Sequence, residues 1–114
     1  MMQIHEVNEE LNGVSESIQK KTHELEAARE VYLLAEAKYE NEFAMYERKC
    51  KVEYPDMTQT DIKAEATNRS YNARIDLIKA ECVFKKLMNE IKALRDRLEA
   101  LREVSYNLRM EAKL

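Results

Sequence analysis

This chain of 114 residues contains one glycine and one proline, so it has little of what interrupts a helix. These two residues are the least compatible with a helix interior, and the turns of sheet proteins use both of them often. Alanine, glutamate, lysine, leucine and arginine are abundant instead, which is typical of long helices. The composition therefore argues against a sheet protein, and the length corresponds to one domain at most.

Long apolar runs and paired cysteines are missing as well. No stretch of about 18 apolar residues occurs, and the start, MMQIHEVNEEL, lacks the basic and apolar regions of a signal peptide. Cys50 and Cys82 fit neither a CxxC pair nor the disulfide framework of a secreted protein. We therefore expect two reduced thiols and a soluble, cytoplasmic protein with no membrane partner.

The patterns that mark an active site or a metal site are also absent. His5 and His23 belong to neither an HExxH nor a Glu-x-x-His motif. There is no glycine-rich phosphate loop, and no strand–turn–helix pattern for a nucleophile elbow. The sequence therefore predicts a protein that is not an enzyme, with no catalytic, cofactor-binding or metal-binding residues and no cofactor.

A heptad repeat of apolar residues is the main positive signal in the first half of the chain. Its a positions are Ile4, Leu11, Ile18, Leu25, Tyr32, Tyr39 and Tyr46, and its d positions begin with Val7, Val14, Lys21, Ala28 and Ala35. A repeat kept this long predicts a coiled-coil seam, meaning the stripe of a and d residues. Gly13 costs about 1 kcal/mol relative to alanine, but the phase continues through it, which predicts one continuous helix.

The single proline marks a break between two helices. Pro55 has no amide hydrogen and restricts Tyr54, so a helix is expected to stop just before it. Thr58 followed by Asp61 resembles a capping box that starts another helix. The sequence thus predicts helix one over about 3–52, a turn over about 53–58 and helix two over about 59–112.

Helix two has a heptad series of its own. Its a positions are Ser70, Leu77, Phe84, Ile91, Leu98, Ser105 and Ala112, and its d positions are Ala66, Ala73, Ala80, Leu87, Leu94, Leu101 and Leu108. Two helices of similar length joined by a short turn lie antiparallel. The predicted fold is all-α, with residues 1–114 forming one domain, a long antiparallel two-helix hairpin.

Side-chain size selects the register of this hairpin, because large residues must face small ones to fill space. The register that satisfies this rule sets three tyrosines against three alanines: Tyr32 opposite Ala80, Tyr39 opposite Ala73 and Tyr46 opposite Ala66. It also centres the turn next to Pro55, so the packing and the helix break agree. The one poor layer is Lys21 against Ile91.

A second set of apolar residues lies outside the seam and predicts an interface. Large exposed apolar patches are rare on monomers, so a lone two-helix hairpin is not expected to leave this set uncovered. Its members are Val31, Leu34, Phe43, Tyr71, Ile75, Ile78 and Cys82. We favour self-association, as a four-helix-bundle dimer or a higher oligomer, over a docking groove for the helix of another protein.

Charge differs between the two arms of the predicted hairpin. Residues 1–49 hold 6 Lys/Arg and 11 Asp/Glu, while residues 85–114 hold 8 Lys/Arg and 5 Asp/Glu. An acidic arm beside a basic one favours antiparallel pairing and argues against a phosphate-binding patch. Direct DNA binding is the alternative function, and its candidate contacts are Lys85, Lys86, Lys92, Arg95, Arg97, Arg102 and Arg109.

Three segments, MTQTDIKAEA, LIKAECVFKKL and LEALREVSYNLRMEAKL, resemble small helical coiled-coil proteins of Gram-positive phages and prophages. Genes of that family tend to lie in early-gene regions near recombination and replication genes, and the family has no established catalytic residues. The resemblance implies the cytoplasm of an infected bacterium as the setting. It also implies one of two roles, an accessory role in phage DNA metabolism or inhibition of a host factor.

Together, the residue patterns and this resemblance predict a non-enzymatic helical protein that acts by protein–protein interaction. The expected partners are further copies of the chain and a host or phage protein. Nucleic acid is the less favoured alternative.

Overall fold

The computed structural model describes residues 3–114, which form three α-helices and no β-strand. Helix α1 spans Ile4–Glu53, α2 spans Gln59–Arg69 and α3 spans Tyr71–Lys113. The predicted all-α class is therefore confirmed. Helix α1 runs without interruption through Gly13, as the unbroken heptad phase predicts.

The break between α1 and α2 is a tight turn at the proline. Helix α1 ends at Glu53, and Met57 N–H donates to Tyr54 O at 3.0 Å, so Pro55 occupies the second position of the turn. Proline suits that position because its fixed φ matches the turn. Thr58 is the N-cap of α2, and its Oγ1 accepts a hydrogen bond from Asp61 N–H at 3.2 Å. The predicted turn and helix start are both confirmed.

The single second helix of the prediction is wrong, because Ser70 divides it into α2 and α3. Ser70 is fully buried, and its backbone departs from helical geometry at φ −96° and ψ 17°. Its hydroxyl also donates to Ala66 O, at 2.6 Å, so this side chain bonds the preceding turn. Ser70 N–H still donates to Ala66 O, and Arg74 N–H donates to Ser70 O, so hydrogen bonding continues across the break.

The chain divides into two compact units. Unit 1 comprises Met1–Glu26 and Lys85–Leu114, and unit 2 comprises Ala27–Phe84. In unit 1, the buried core contains Val7, Val14 and Leu101. The partly buried residues packed against this core are Leu11, Ile18, Leu94, Leu98 and Leu108. All eight side chains belong to the predicted seam.

The helical segments of unit 1 run antiparallel. Glu10 contacts Arg97, and Lys21 contacts Glu90, so residue numbers rise along α1 as they fall along α3. Lys21 meets its partner one residue from Ile91, the residue that the predicted register sets against it. The apolar seam therefore accommodates Lys21 by an ion pair beside the layer.

Unit 2 contains the turn and a seam of small residues. Its buried apolar residues are Cys50, Ile62, Ala66, Ala73 and Ala80. The Tyr32 ring lies 5.6 Å from the Phe84 ring, one helical turn from its predicted partner Ala80. Arg69 bonds both Glu53 of α1 and Glu65 of α2 at 3.1 Å, which ties the two helices together next to the turn.

We predict that Gly13→Ala stabilises the protein. A Cβ at Gly13 would meet no atom of a neighbouring segment within 4 Å, so alanine fits without strain. The free energy of unfolding should rise by about 1 kcal/mol, since alanine loses less backbone entropy in a helix. Urea unfolding followed by far-UV circular dichroism, at one fixed protein concentration, measures the change.

The matched control is Ala100→Gly, at an exposed position of α3 in the same unit. It should lower the free energy of unfolding by about the same 1 kcal/mol. An unchanged or lower midpoint for Gly13→Ala would contradict a helix that is regular at this point.

Candidate interaction surfaces

In unit 1, the heptad positions that flank the seam fall on two sides, named here by their letters. The g side includes Glu10 and Arg97, which line a common groove and form an ion pair at 2.6 Å. The e side includes Thr22, Met88 and Arg95, which line another groove. Because the helical segments are antiparallel, g positions meet g positions and e positions meet e positions.

A half-buried ion pair joins the two helices of unit 1. The Lys21 ammonium donates to Glu90 at 2.7 Å, and about a third of each side chain is exposed. This hydrogen bond holds the pKa of Glu90 below its ordinary value and raises the pKa of Lys21. Glu90 therefore provides a partner for the ammonium of Lys21, which would otherwise be an unpaired charge at a d position of the seam.

Unit 2 has an apolar groove of about 410 Å³ on the g side of its seam. We call it the unit 2 groove, and its lining residues are Ala28, Val31, Ala35, Asp76, Lys79, Ala80 and Val83. Three of the lining residues are alanines, whose small side chains fill little of the groove. Val31 and Val83 are 58% and 54% exposed. Asp76 and Lys79 provide the only charges among the residues of this groove.

The residues of the sequence-predicted interface lie on several faces of unit 2. Val31 lines the groove and Leu34 is 71% exposed, one turn further along α1 on the same side. Phe43 is half-buried, with its ring 6.1 Å from the ring of Tyr39. At ~100° per residue, the α3 members fall on the face opposite the seam. These are Tyr71, Ile75, Ile78 and Cys82, and the structure does not bring them to the groove.

Sequence reasoning missed Val83, Asp76 and Lys79 as members of a surface. A signal for this surface is present in the heptad: Val31, Asp76 and Val83 all occupy g positions, beside alanines at d. A pair of valines flanking small seam residues marks a groove, because the alanines leave space that the valines border. Whether that space is open depends on neighbouring side chains, which the repeat alone does not specify.

The seven basic residues named as nucleic-acid contacts are all exposed on α3 in unit 1. They do not form one face. Arg97, on the g side, is paired with Glu10, whereas Arg95 and Lys92 line the e-side groove together with Asp96 and Glu99. The acidic first arm therefore compensates these cations on one side of the seam more than on the other.

The remaining chemistry-bearing side chains are dispersed. Across residues 3–114, no three His, Cys, Asp or Glu residues are grouped closely enough to hold a metal ion. Cys50 is buried and Cys82 is exposed, and both are free thiols. None of the helices in residues 3–114 has the length and apolar character needed to span a bilayer.

No protein-family model, curated protein or solved structure matches this chain. The unit 2 groove and the two sides of unit 1 are thus the candidate interaction sites of this protein.

We predict a pH-dependent contribution from Glu90. Its folded-state pKa is depressed, so its stabilising effect is present above the unfolded-state pKa and is lost as the pH falls through the folded-state pKa. Glu90→Gln should therefore lower the urea midpoint near neutral pH, and the difference from wild type should shrink as the pH falls below the ordinary pKa of a glutamate.

Glu16→Gln serves as the control, since Glu16 is exposed and belongs to none of the ion pairs in the described residues. Its midpoint should stay close to wild type across the range. A constant difference for Glu90→Gln at every pH would rule out the ion pair as its source.

We predict that the two thiols react at very different rates. Cys82 is exposed and Cys50 is fully buried, so a water-soluble thiol reagent should modify one thiol per native chain and two in denaturant. Cys82→Ser should abolish the fast reaction, while Cys50→Ser should preserve it. Fast modification of Cys50 would show that the turn end of unit 2 opens readily.

Proposed function

We propose that this protein acts by protein–protein interaction, without catalysis, and that two copies associate through the unit 2 groove into a four-helix bundle. The observation that carries the proposal is the groove itself, an apolar depression bordered by two exposed valines. Exposed apolar surface of this kind typically marks an interface, because leaving it in water is unfavourable.

The unit 2 groove suits a second copy because its surface is apolar and its side chains are small. Ala28, Ala35 and Ala80 carry only methyl groups, which lets the surface of the other copy approach closely. A two-fold axis repeats each contact, so the apolar surface of one copy, including the exposed Val31 and Val83, is covered together with that of the other.

Charge at the groove supports the same arrangement. Asp76 and Lys79 lie three residues apart, on neighbouring turns of α3. A two-fold axis that crosses α3 between them sets Asp76 of each copy beside Lys79 of the other. The two charges would then be compensated twice across the interface, which favours this register over one that sets like charges together.

The biological role that we propose follows from the resemblance to phage and prophage helical proteins. The assembled protein would serve either as an accessory to phage DNA recombination or replication, or as an inhibitor of a host factor. The location would be the cytoplasm of the infected bacterium. In both roles the protein contributes a binding surface, and the chemistry belongs to its partner.

We predict that charge reversal at the groove controls assembly. Lys79→Asp sets carboxylates of the two copies together. The dimer should therefore become weaker, and its Kd should rise by about tenfold or more. The double variant Asp76→Lys/Lys79→Asp reverses both charges and should restore the dimer. Sedimentation equilibrium over a range of protein concentrations measures each mass.

Ile78→Asp is the matched control, because Ile78 lies on the face of α3 that is predicted from the sequence but does not line the groove. It should leave the dimer intact, and Cys82 on that face should stay reactive to thiol reagents in the dimer. A monomeric wild type, a failed rescue by the double variant, or dissociation by Ile78→Asp alone would each overturn the groove dimer.

The two roles differ in the protein that the dimer captures. A tagged wild-type chain in nuclease-treated lysate from infected Gram-positive cells should retain a phage recombination or replication protein in the accessory role. It should retain a host protein in the inhibitory role. The control bait is an unrelated helical protein of similar charge. If it retains the same proteins in the same amounts, both roles are contradicted.

A further inference from the structure

The first helical arm of unit 1 carries its charge very unevenly around its axis. From residue 5 to residue 22, the b and e positions of α1 hold no Asp, Glu, Lys or Arg. Their residues are His5, Asn8, Asn12, Ser15, Gln19 and Thr22. The c, f and g positions of the same segment hold four glutamates and one lysine, which are Glu6, Glu9, Glu10, Glu16 and Lys20. Glu24, at the next g position, lies just beyond the segment. Over residues 5–22 the acidic side chains are therefore directed away from the e side, and Glu26 is the first acidic residue at a b position.

The second arm places its cations on the side that the first arm leaves uncharged. The b and e positions of α3 in unit 1 hold six basic residues, Lys85, Lys92, Arg95, Arg102, Arg109 and Lys113. Glu99 is the acidic residue among those positions, and Asp96 lines the neighbouring groove beside Arg95. We call this surface the basic face of unit 1.

The arginines of the basic face are spaced regularly and are not used in ion pairs. Arg95, Arg102 and Arg109 follow one another at seven-residue intervals, about 10.5 Å apart along α3. All three are exposed, and they belong to none of the ion pairs formed within residues 3–114. The cations that are paired across unit 1, Arg97 and Lys21, lie at g and d positions.

We propose that the basic face of unit 1 binds the phosphate backbone of double-stranded DNA without reading its sequence. This function lies outside the unit 2 groove and does not depend on the proposed dimer. Three arginines in line span about 21 Å of α3, and a duplex presents one negative charge for each ~1.7 Å of its axis, so several phosphates lie within their reach.

The composition of the basic face favours a duplex over a single strand. Binding of single strands relies on aromatic side chains that stack on the bases. Tyr106, which is 63% exposed at a b position, is the aromatic residue that this face offers. The neutral polar residues of α1, such as Asn12, Ser15 and Gln19, can donate to phosphate oxygens beside the arginines.

The test compares two triple variants with equal loss of charge. Arg95→Gln/Arg102→Gln/Arg109→Gln removes three cations from the basic face, and Lys20→Gln/Lys86→Gln/Arg97→Gln removes three from the opposite side. Binding to a fluorescent duplex of mixed sequence is measured by anisotropy over a series of salt concentrations. Circular dichroism verifies that both variants remain helical.

Wild type should show affinity that falls steeply with salt. The basic-face variant should lose about tenfold or more in affinity. The slope of log K against log salt should become less negative by about 2.7, or about 0.9 for each arginine removed. The opposite-side variant should retain the wild-type slope. Equal losses in the two variants, absence of salt-dependent binding by wild type, or tighter binding of the matching single strand would each overturn the proposal.

Discussion

Alanine and serine form most of the buried seam that α2 and α3 present in unit 2: Ala66, Ser70, Ala73 and Ala80 are all buried. Side chains this small let a facing helix approach closely and leave room for large partners such as Tyr32, whose ring contacts Phe84. Ala80 also lines the unit 2 groove together with Ala28 and Ala35 of α1, and these three alanines leave it open because they do not fill it. Close packing and the exposed apolar recess therefore have one cause, which is the shortage of side-chain volume on this side of the seam.

The helical class, the turn at Pro55, the Thr58 cap and the continuity of α1 through Gly13 could be predicted from the sequence, since each depends on local backbone chemistry or on repeat phase. The break at Ser70 could not, because serine is tolerated within helices and the heptad phase continues through this position. The burial of Ile62 was also missed, as it lies one residue off the heptad phase that Ala66 continues. Tertiary packing decides such positions, and periodicity does not contain that information.

The surfaces show a similar division. Val31 was named from the sequence and lines the unit 2 groove, whereas Val83 was not, because its importance depends on how widely the neighbouring alanines leave the groove open. The net charge of each arm does not reveal how the charged side chains are distributed around the helix. Once Glu10 is known to meet Arg97 at g positions, the e positions become a separate surface where arginines of α3 face uncharged residues of α1. The g face of α3 therefore pairs a cation with the acidic arm, whereas its e face presents cations beside uncharged residues.

The sequence separation of the ion pairs also bears on the order of folding. Arg69 and Glu53 are 16 residues apart, while Arg97 and Glu10 are 87 residues apart. Closing the longer loop costs about 1.5 kcal/mol more in chain entropy. Contacts around the turn should therefore form early, and once they exist the remaining separation between the arms is much reduced. The two ends of the chain are then the last segments to pair during folding and the first to separate during unfolding.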